Sequence, residues 1–453
     1  MKASVLSAGL LGGLFWSFSA FAAGSDPAEF WPQWRGPRGT GEAPLADPPV
    51  TWSETKNIRW KTRVPGSGTA TPIVWGDRVF VLTAIPTGKK TARTIVKTTM
   101  AQPTAPGGGQ KGGPPRAEAP SEPFQFVVIC YDRRTGKPLW QKIAREEVPH
   151  EGHHENHGFA SASPVTDGKN LYAYFGSRGL HCYDFEGNLK WSKDFGKMET
   201  KNSFGEGASP ALFGDKIIIV WDHEGPDFIT ALDKQTGKEL WRTPRDERTG
   251  WSTPLVVQHA GKQQVVVNAT EKVRSYDLET GKELWSCAGQ TANAIPSPVA
   301  DADTVYVMSG FRGTALFAFA LGRTGELAGT DAIRWTHPKS TPYVPSPLLV
   351  DNLLYFLANN DAKLTCLDSK TGSPNYEAER LEGVFSVYAS PVAAKDRLYV
   401  LGREGACAVL KKGPKLEILA TNKLDEKTDA SPALAGKDIF IRGRQNLYCI
   451  TSM

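Results

Sequence analysis

A Ser/Thr-Pro pair returns at near-regular intervals at eight places along this chain, and no other feature limits the fold as tightly. It stands at Thr71-Pro72, Ser163-Pro164, Ser209-Pro210, Thr253-Pro254, Ser297-Pro298, Ser346-Pro347, Ser390-Pro391 and Ser431-Pro432. Successive prolines lie 92, 46, 44, 44, 49, 44 and 41 residues apart, and the 92 contains one insertion. Length alone would suggest three domains for 453 residues. A repeat of this period instead means one propeller or solenoid.

Each unit reads alike. A short apolar strand follows the proline, then a tight turn such as Gly214-Asp215, then a second strand such as Ile217–Val220. A variable loop leads to a third strand, a turn of the type Asp-x-x-Thr-Gly-Lys, and a short strand ending in Trp. Ala231–Trp241, Ser275–Trp285 and Cys130–Trp140 are the best copies. The Asp can accept backbone N–H groups of its turn, and the Gly supplies positive φ. Pro opens a strand where no N–H is demanded. Trp is large enough to fill the wedge between neighbouring blades. Strands this short cannot bury their faces alone, so the units must stack.

Eight units predict an all-β, eight-bladed β-propeller of four-stranded antiparallel blades. The last unit, from Ser431, lacks a Trp strand, whereas Asn57–Arg63, with Trp60, precedes the first Ser/Thr-Pro. The N-terminal strand is therefore expected to complete the last blade and close the ring, which removes exposed strand edges. The expected organisation is a signal peptide at 1–22, a lead-in at 23–56 and the propeller at 57–453, with an insertion at 86–123 in blade 1. The Gly/Pro-rich stretch Thr104–Pro115 within that insertion has no apolar periodicity and is expected to be disordered.

The Ser-Pro start, the Asp-x-x-Thr-Gly-Lys-x-Leu-Trp end and the shared closing blade resemble the pyrroloquinoline-quinone (PQQ)-type repeat propellers. Quinoprotein alcohol dehydrogenases and the BamB assembly lipoproteins are among them. The opening Trp31-Pro-Gln-Trp-Arg-Gly-Pro37 is similar to the start of secreted propellers of that group. The dehydrogenases imply PQQ in the central funnel with calcium beneath it; BamB implies a binding or assembly scaffold. Two departures bear on this. No two Cys are adjacent, whereas the dehydrogenases carry a cysteine pair beside the quinone, and no C-x-x-C-H offers a c-type haem. No Cys follows the leader until Cys130, so the lipid attachment point of the assembly lipoproteins is missing too.

The leader has Lys2, an uncharged apolar run from Val5 to Ala23 and an Ala20-Phe21-Ala22 cleavage site. Its length also approaches that of a membrane anchor. Gly9, Gly12 and Gly13 favour the cleaved form, and with it a periplasmic or secreted protein that is not integral to the membrane. A net charge of +5 without a basic run excludes nucleic-acid binding as an expectation. The six Cys are too few for a disulfide scaffold. Cys130, Cys182, Cys366, Cys407 and Cys449 fall on third strands of different blades, which reads as buried free thiols.

Four of the eight His cluster at His150, His153, His154 and His157. His150–His154 matches H-E-x-x-H, but a zinc protease needs that motif on a helix, and Pro149, Gly152 and β-repeat flanks oppose one. Two readings remain: a looser metal site, built with or without His223, and a polar hydrogen-bonded loop at the mouth of the ring. The long loops all share one face of the propeller. They carry Arg178, Asp222, His223, Glu224, Arg245, Asp246, Arg312 and Arg403, the candidate ligand-binding residues. The expected function is a monomeric binding or assembly scaffold that holds a protein or small-molecule ligand on this face. The alternatives are a PQQ- and calcium-dependent oxidoreductase of alcohols or sugars, and a metal enzyme on the His loop.

Overall fold

Alternating apolar residues and glycine-bearing turns give every repeat the same antiparallel meander, and eight meanders stand around one axis. The computed structural model describes residues 26–89 and 116–452. The leader at 1–22 and the stretch Thr104–Pro115 lie outside the described residues. The described flanks of the insertion leave strand Arg78–Pro86 and return at strand Phe124–Asp132. Blades begin with the inner strands Ile73–Trp75, Val165–Thr166, Ala211–Phe213, Leu255–His259, Val299–Ala300, Leu348–Val350, Val392–Ala394 and Ala433–Ala435. Each starts at the residue that follows a Ser/Thr-Pro pair, and each blade runs outward through its remaining strands. Among the described residues, no helix is long and apolar enough to cross a membrane.

The ring closes as the sequence predicts. Ile58–Arg63 pairs antiparallel with Asn446–Thr451 and becomes the outer strand of blade 8. Two blades gain a fifth strand: Gly325–Glu326 runs parallel on the outer edge of blade 4, and Glu42–Ala43 runs parallel on the inner edge of blade 7.

The Trp of each outer strand lies directly across from a small residue on the third strand. The pairs are Trp140 with Cys130, Trp191 with Cys182, Trp241 with Ala231, Trp285 with Ser275 and Trp60 with Cys449. That explains why Cys, Ala and Ser share this position: the indole leaves no room for more. All six Cys are free and buried. The indole then reaches the next blade. Trp241 Nε1 donates to Leu278 O at 2.9 Å, and Trp60, Trp140, Trp191 and Trp335 make the same bond to the following turn. The turn glycine of that next blade faces the indole. A Cβ on Gly281, whose φ is +71°, would sit 2.4 Å from the Trp241 ring. The Gly thus serves the turn and the blade junction together. Trp285 departs from the pattern; it donates inside its own blade to Gln264 Oε1, where strand Gly325–Glu326 covers the edge.

Candidate functional site

The Ser/Thr of each repeat does more than precede a proline. Ser163 N–H donates to Ser209 Oγ at 2.9 Å, Ser209 N–H to Thr253 Oγ1 at 3.0 Å, and Thr253 N–H to Ser297 Oγ at 2.8 Å. The same bond links Thr71 to Ser163, Ser297 to Ser346, Ser346 to Ser390 and Ser390 to Ser431. Seven junctions carry it; among the described residues the Ser431–Thr71 junction does not. Every linking oxygen accepts a backbone N–H, so its own proton is left to donate.

Above this hydroxyl ring lies an axial cavity of about 670 Å³, within the roughly 300–1,000 Å³ usual for small-molecule sites. Its wall has a register. Thr69, Ser161, Gly207, Trp251, Ile295, Val344, Tyr388 and Asp429 all line it, and each stands two residues before a repeat Ser or Thr. Extended backbone turns alternate residues to the same side, so both positions face the axis. The eight fall into two arcs. Asp429, Thr69, Ser161 and Gly207, leading into blades 8, 1, 2 and 3, are small or polar. Trp251, Ile295, Val344 and Tyr388, leading into blades 4 to 7, are apolar or aromatic.

The lead-in supplies the floor. Trp31 bridges to Val74 of blade 1, and Pro32 O accepts Thr166 N–H of blade 2. Arg35 then donates to Pro347 O at 2.7 Å and Pro391 O at 2.9 Å, on blades 6 and 7. Blades 2 and 6 are opposite in an eight-membered ring, so the segment crosses the axis, and Trp34 lines the cavity from it. Gly41, at φ +91°, is needed here; a Cβ would meet the Arg35 guanidinium at 2.2 Å. Arg35 is buried among carbonyls, and desolvation by burial lowers its pKa to about 9.

The loops add the upper rim. Lys201 Nζ donates to Asn293 Oδ1 at 3.0 Å, joining the loops that follow blades 2 and 4. Arg312 is exposed and lies over the Phe311 ring at 5.2 Å; Phe311 stacks on Tyr343 at 4.7 Å. Among the described residues neither Lys201 nor Arg312 pairs with a carboxylate. Asn202, Asn293 and Arg312 all line the cavity with left-handed backbones, at φ of 51°, 55° and 54°. Such strain is held only where surrounding structure imposes it, and it clusters at ligand sites.

The predicted residues separate into rim and braces. Arg312 is on the cavity. Arg403 borders it, donating to Asp429 Oδ1 at 2.6 Å and Asn156 Oδ1 at 2.7 Å while covering the Tyr388 ring at 3.9 Å. Arg178 is instead buried between Glu147 and Glu206, at 3.2 and 3.1 Å. Arg245 holds Asp222 through two bonds of 2.6 and 2.9 Å, both side chains nearly inaccessible, and also donates to the Tyr276 hydroxyl. His223 is fixed as a brace, Nδ1 accepting Glu199 N–H at 3.1 Å and Nε2 meeting Pro226 O at 3.0 Å. Glu224 accepts the Thr249 hydroxyl at 2.8 Å. Asp246 is exposed on the outer part of its loop.

The four His lie on an irregular loop, not a helix, and do not converge. His150 Nε2 meets Met198 O at 2.7 Å, away from the axis. His153 packs edge-on against Phe159 and His154 against Phe204. His154 and His157 line the cavity. Burial, with His153 nearby, lowers the His157 pKa from 6.5 to about 4, so its ring is neutral at neutral pH. Among the described residues no three His, Cys, Asp or Glu side chains are grouped to hold a metal ion. Calcium takes about six to eight oxygens, carboxylates prominent among them. Among the described residues the cavity lining offers one carboxylate, Asp429, already held by Arg403 and by Arg444 at 3.2 Å. This donor set does not fit a calcium ion beside a quinone.

Sequence reasoning missed Trp34, Trp251, Lys201, Asn202, Asn293 and Tyr388. For Trp251 and Tyr388 a usable signal was present, the position two before each repeat Ser/Thr; Trp34, Lys201, Asn202 and Asn293 lie outside that register.

Ring, floor and rim together define an eight-bladed propeller with a one-ended axial cavity on its long-loop face. The sequence profile of the family described as outer membrane protein assembly factor BamB matches residues 125–376, more than half of the chain, and the chain belongs to this PQQ-repeat family. The quinoprotein ethanol dehydrogenase of Pseudomonas aeruginosa is 26% identical over 168 residues, 37% of this chain and 25% of that protein. Quinoprotein alcohol dehydrogenase PedE of Pseudomonas putida is 27% identical over 170 residues, with the same coverage. The match thus spans about a quarter of the length of these curated relatives. Among solved structures, BamB from Moraxella catarrhalis has a TM-score of 0.52 at 14% identity, covering 72% of this chain and 94% of that one. The quinohemoprotein alcohol dehydrogenase of Comamonas testosteroni has a TM-score of 0.60 at 12% identity, covering 94% and 81%. At these identities the structures share the fold alone.

Proposed function

We propose that this chain is an exported, monomeric binding propeller that holds a ligand in its axial cavity, on the face where the long loops gather. The observation that carries this is the variable ring of eight residues above the hydroxyl ring. Its split into polar and apolar arcs, over a floor built by the lead-in, suits selective binding. Export rests on the leader at 1–22. The braces at Arg178, Asp222, His223, Glu224 and Arg245 act on this reading by holding the loops that form the rim.

The test uses an anionic aromatic dye, 8-anilinonaphthalene-1-sulfonate. The expected result is one saturable site whose fluorescence is lost in Ser161→Trp, which fills the polar arc, with the thermal transition kept. Binding that survives this substitution would overturn the reading. A second reading, a quinone-dependent dehydrogenase, draws on the names of the two Pseudomonas relatives. Adding PQQ and calcium and following dye reduction with ethanol tests it; turnover would favour it over a binding role.

A further inference from the structure

The chemistry of the cavity narrows the class of ligand. From its polar groups the lining offers mainly donors. The hydroxyl oxygens of Ser163, Ser209 and Thr253 are occupied by backbone N–H groups, so their protons point to an acceptor. Lys201 and Arg312 add two positive charges without a carboxylate partner among the described residues, while the charge of Asp429 is taken by Arg403 and Arg444. A donor-rich, cationic lining selects an acceptor-rich anion.

Shape selects further. The polar and aromatic arcs face each other across the axis, so a complementary ligand has one apolar face and one polar edge. The rings of Phe311 and Tyr343 stack on each other at 4.7 Å, so their facing sides are closed to a ligand. A pyranose has this two-sided form: C–H groups on a face that packs on aromatic rings, and hydroxyls around its edge.

Resting on the axial-ligand reading above, we infer that the cavity takes an acidic sugar, a uronic acid or short uronate oligosaccharide. Its carboxylate is met by Lys201 and Arg312, and its pyranose face lies against the apolar arc that runs from Trp251 through Ile295 and Val344 to Tyr388.

The experiment titrates the full purified chain with trigalacturonic acid and with neutral maltotriose. Tryptophan fluorescence and displacement of bound 8-anilinonaphthalene-1-sulfonate are read together. The acidic trisaccharide is expected to bind saturably and at least tenfold more tightly than the neutral one. Its affinity should fall tenfold or more in Lys201→Gln/Arg312→Gln, and weaken with added salt. These side chains sit on the rim, so the variant should keep its melting temperature. Equal affinity for both sugars, an unchanged affinity in the folded variant, or no saturable binding of the acid would each overturn the inference. If the dye still occupies one site that Ser161→Trp abolishes, only the sugar assignment falls. If the dye also fails to bind there, the axial-ligand reading falls with it.

Discussion

Replacing Ser209 by Ala tests whether the repeated hydroxyl holds neighbouring blades together. The Ser163 N–H donates to Ser209 Oγ at 2.9 Å, and both residues are buried. The Ala variant leaves that N–H without a partner, which costs about 1–3 kcal/mol. Unfolding entropy is roughly 2.1 cal/mol/K per residue. Over roughly 370 described propeller residues this is about 0.8 kcal/mol/K, so the melting temperature should fall by about 1–4 °C. Thr71→Val is the internal control: Thr71 is buried, but its Oγ1 accepts no blade-linking N–H among the described residues, so replacing its hydroxyl by a methyl of the same shape strands no donor and should cost less than the change at Ser209. Calorimetry of both variants at one scan rate makes the comparison. If Ser209→Ala melts no lower than Thr71→Val, the hydroxyls do not couple the blades and the reasoning is refuted.

Asp222→Asn should destabilise by about 3–5 kcal/mol in urea unfolding, because it leaves buried Arg245 without its counter-charge. Trp241→Phe keeps an aromatic wedge but loses the bond to Leu278 O, an expected cost of about 0.5–1.5 kcal/mol by the same measurement. His157 is held neutral in the fold, with a pKa near 4 against 6.5 when unfolded. The unfolded chain therefore binds the extra proton first, so stability present above pH 6.5 is lost as pH falls toward 4. Melting temperatures across this window should drop more steeply in the parent than in His157→Gln. Deleting 57–63 removes the outer strand of blade 8 and should abolish the cooperative melting transition; an unchanged transition would show that ring closure is dispensable.

The fold was legible because a repeat constrains every copy at once. The closing strand could be read from a missing Trp in the last unit and a spare one at Trp60. The small residue two before each turn Asp was visible as a pattern, but its cause, an indole lying opposite, needed the register. The site was only half legible. Charge drew attention to Arg178, Asp222 and Arg245, yet charge in a loop is as often a brace as a ligand contact, and burial decided against them. Trp34 could not be found from the repeat, because it lies in the non-repeating lead-in and reaches the axis only through bonds to blades on opposite sides.

Two residues separate the ring that links the blades from the ring that faces the cavity. At seven of the eight repeat Ser/Thr positions the hydroxyl has a fixed task, since a side chain without an acceptor would strand the preceding blade's N–H. Two residues earlier no bond recurs from blade to blade, and the chain places Thr, Ser, Gly, Trp, Ile, Val, Tyr and Asp there. Repeat similarity therefore reports the first ring and is silent about the second. This is why a chain can share the propeller with an assembly factor and with quinoprotein dehydrogenases while its cavity is lined differently from blade to blade. It also predicts where specificity is changed most cheaply: exchanging residues of the upper ring alters what the cavity accepts while the blade-to-blade bonds below stay intact.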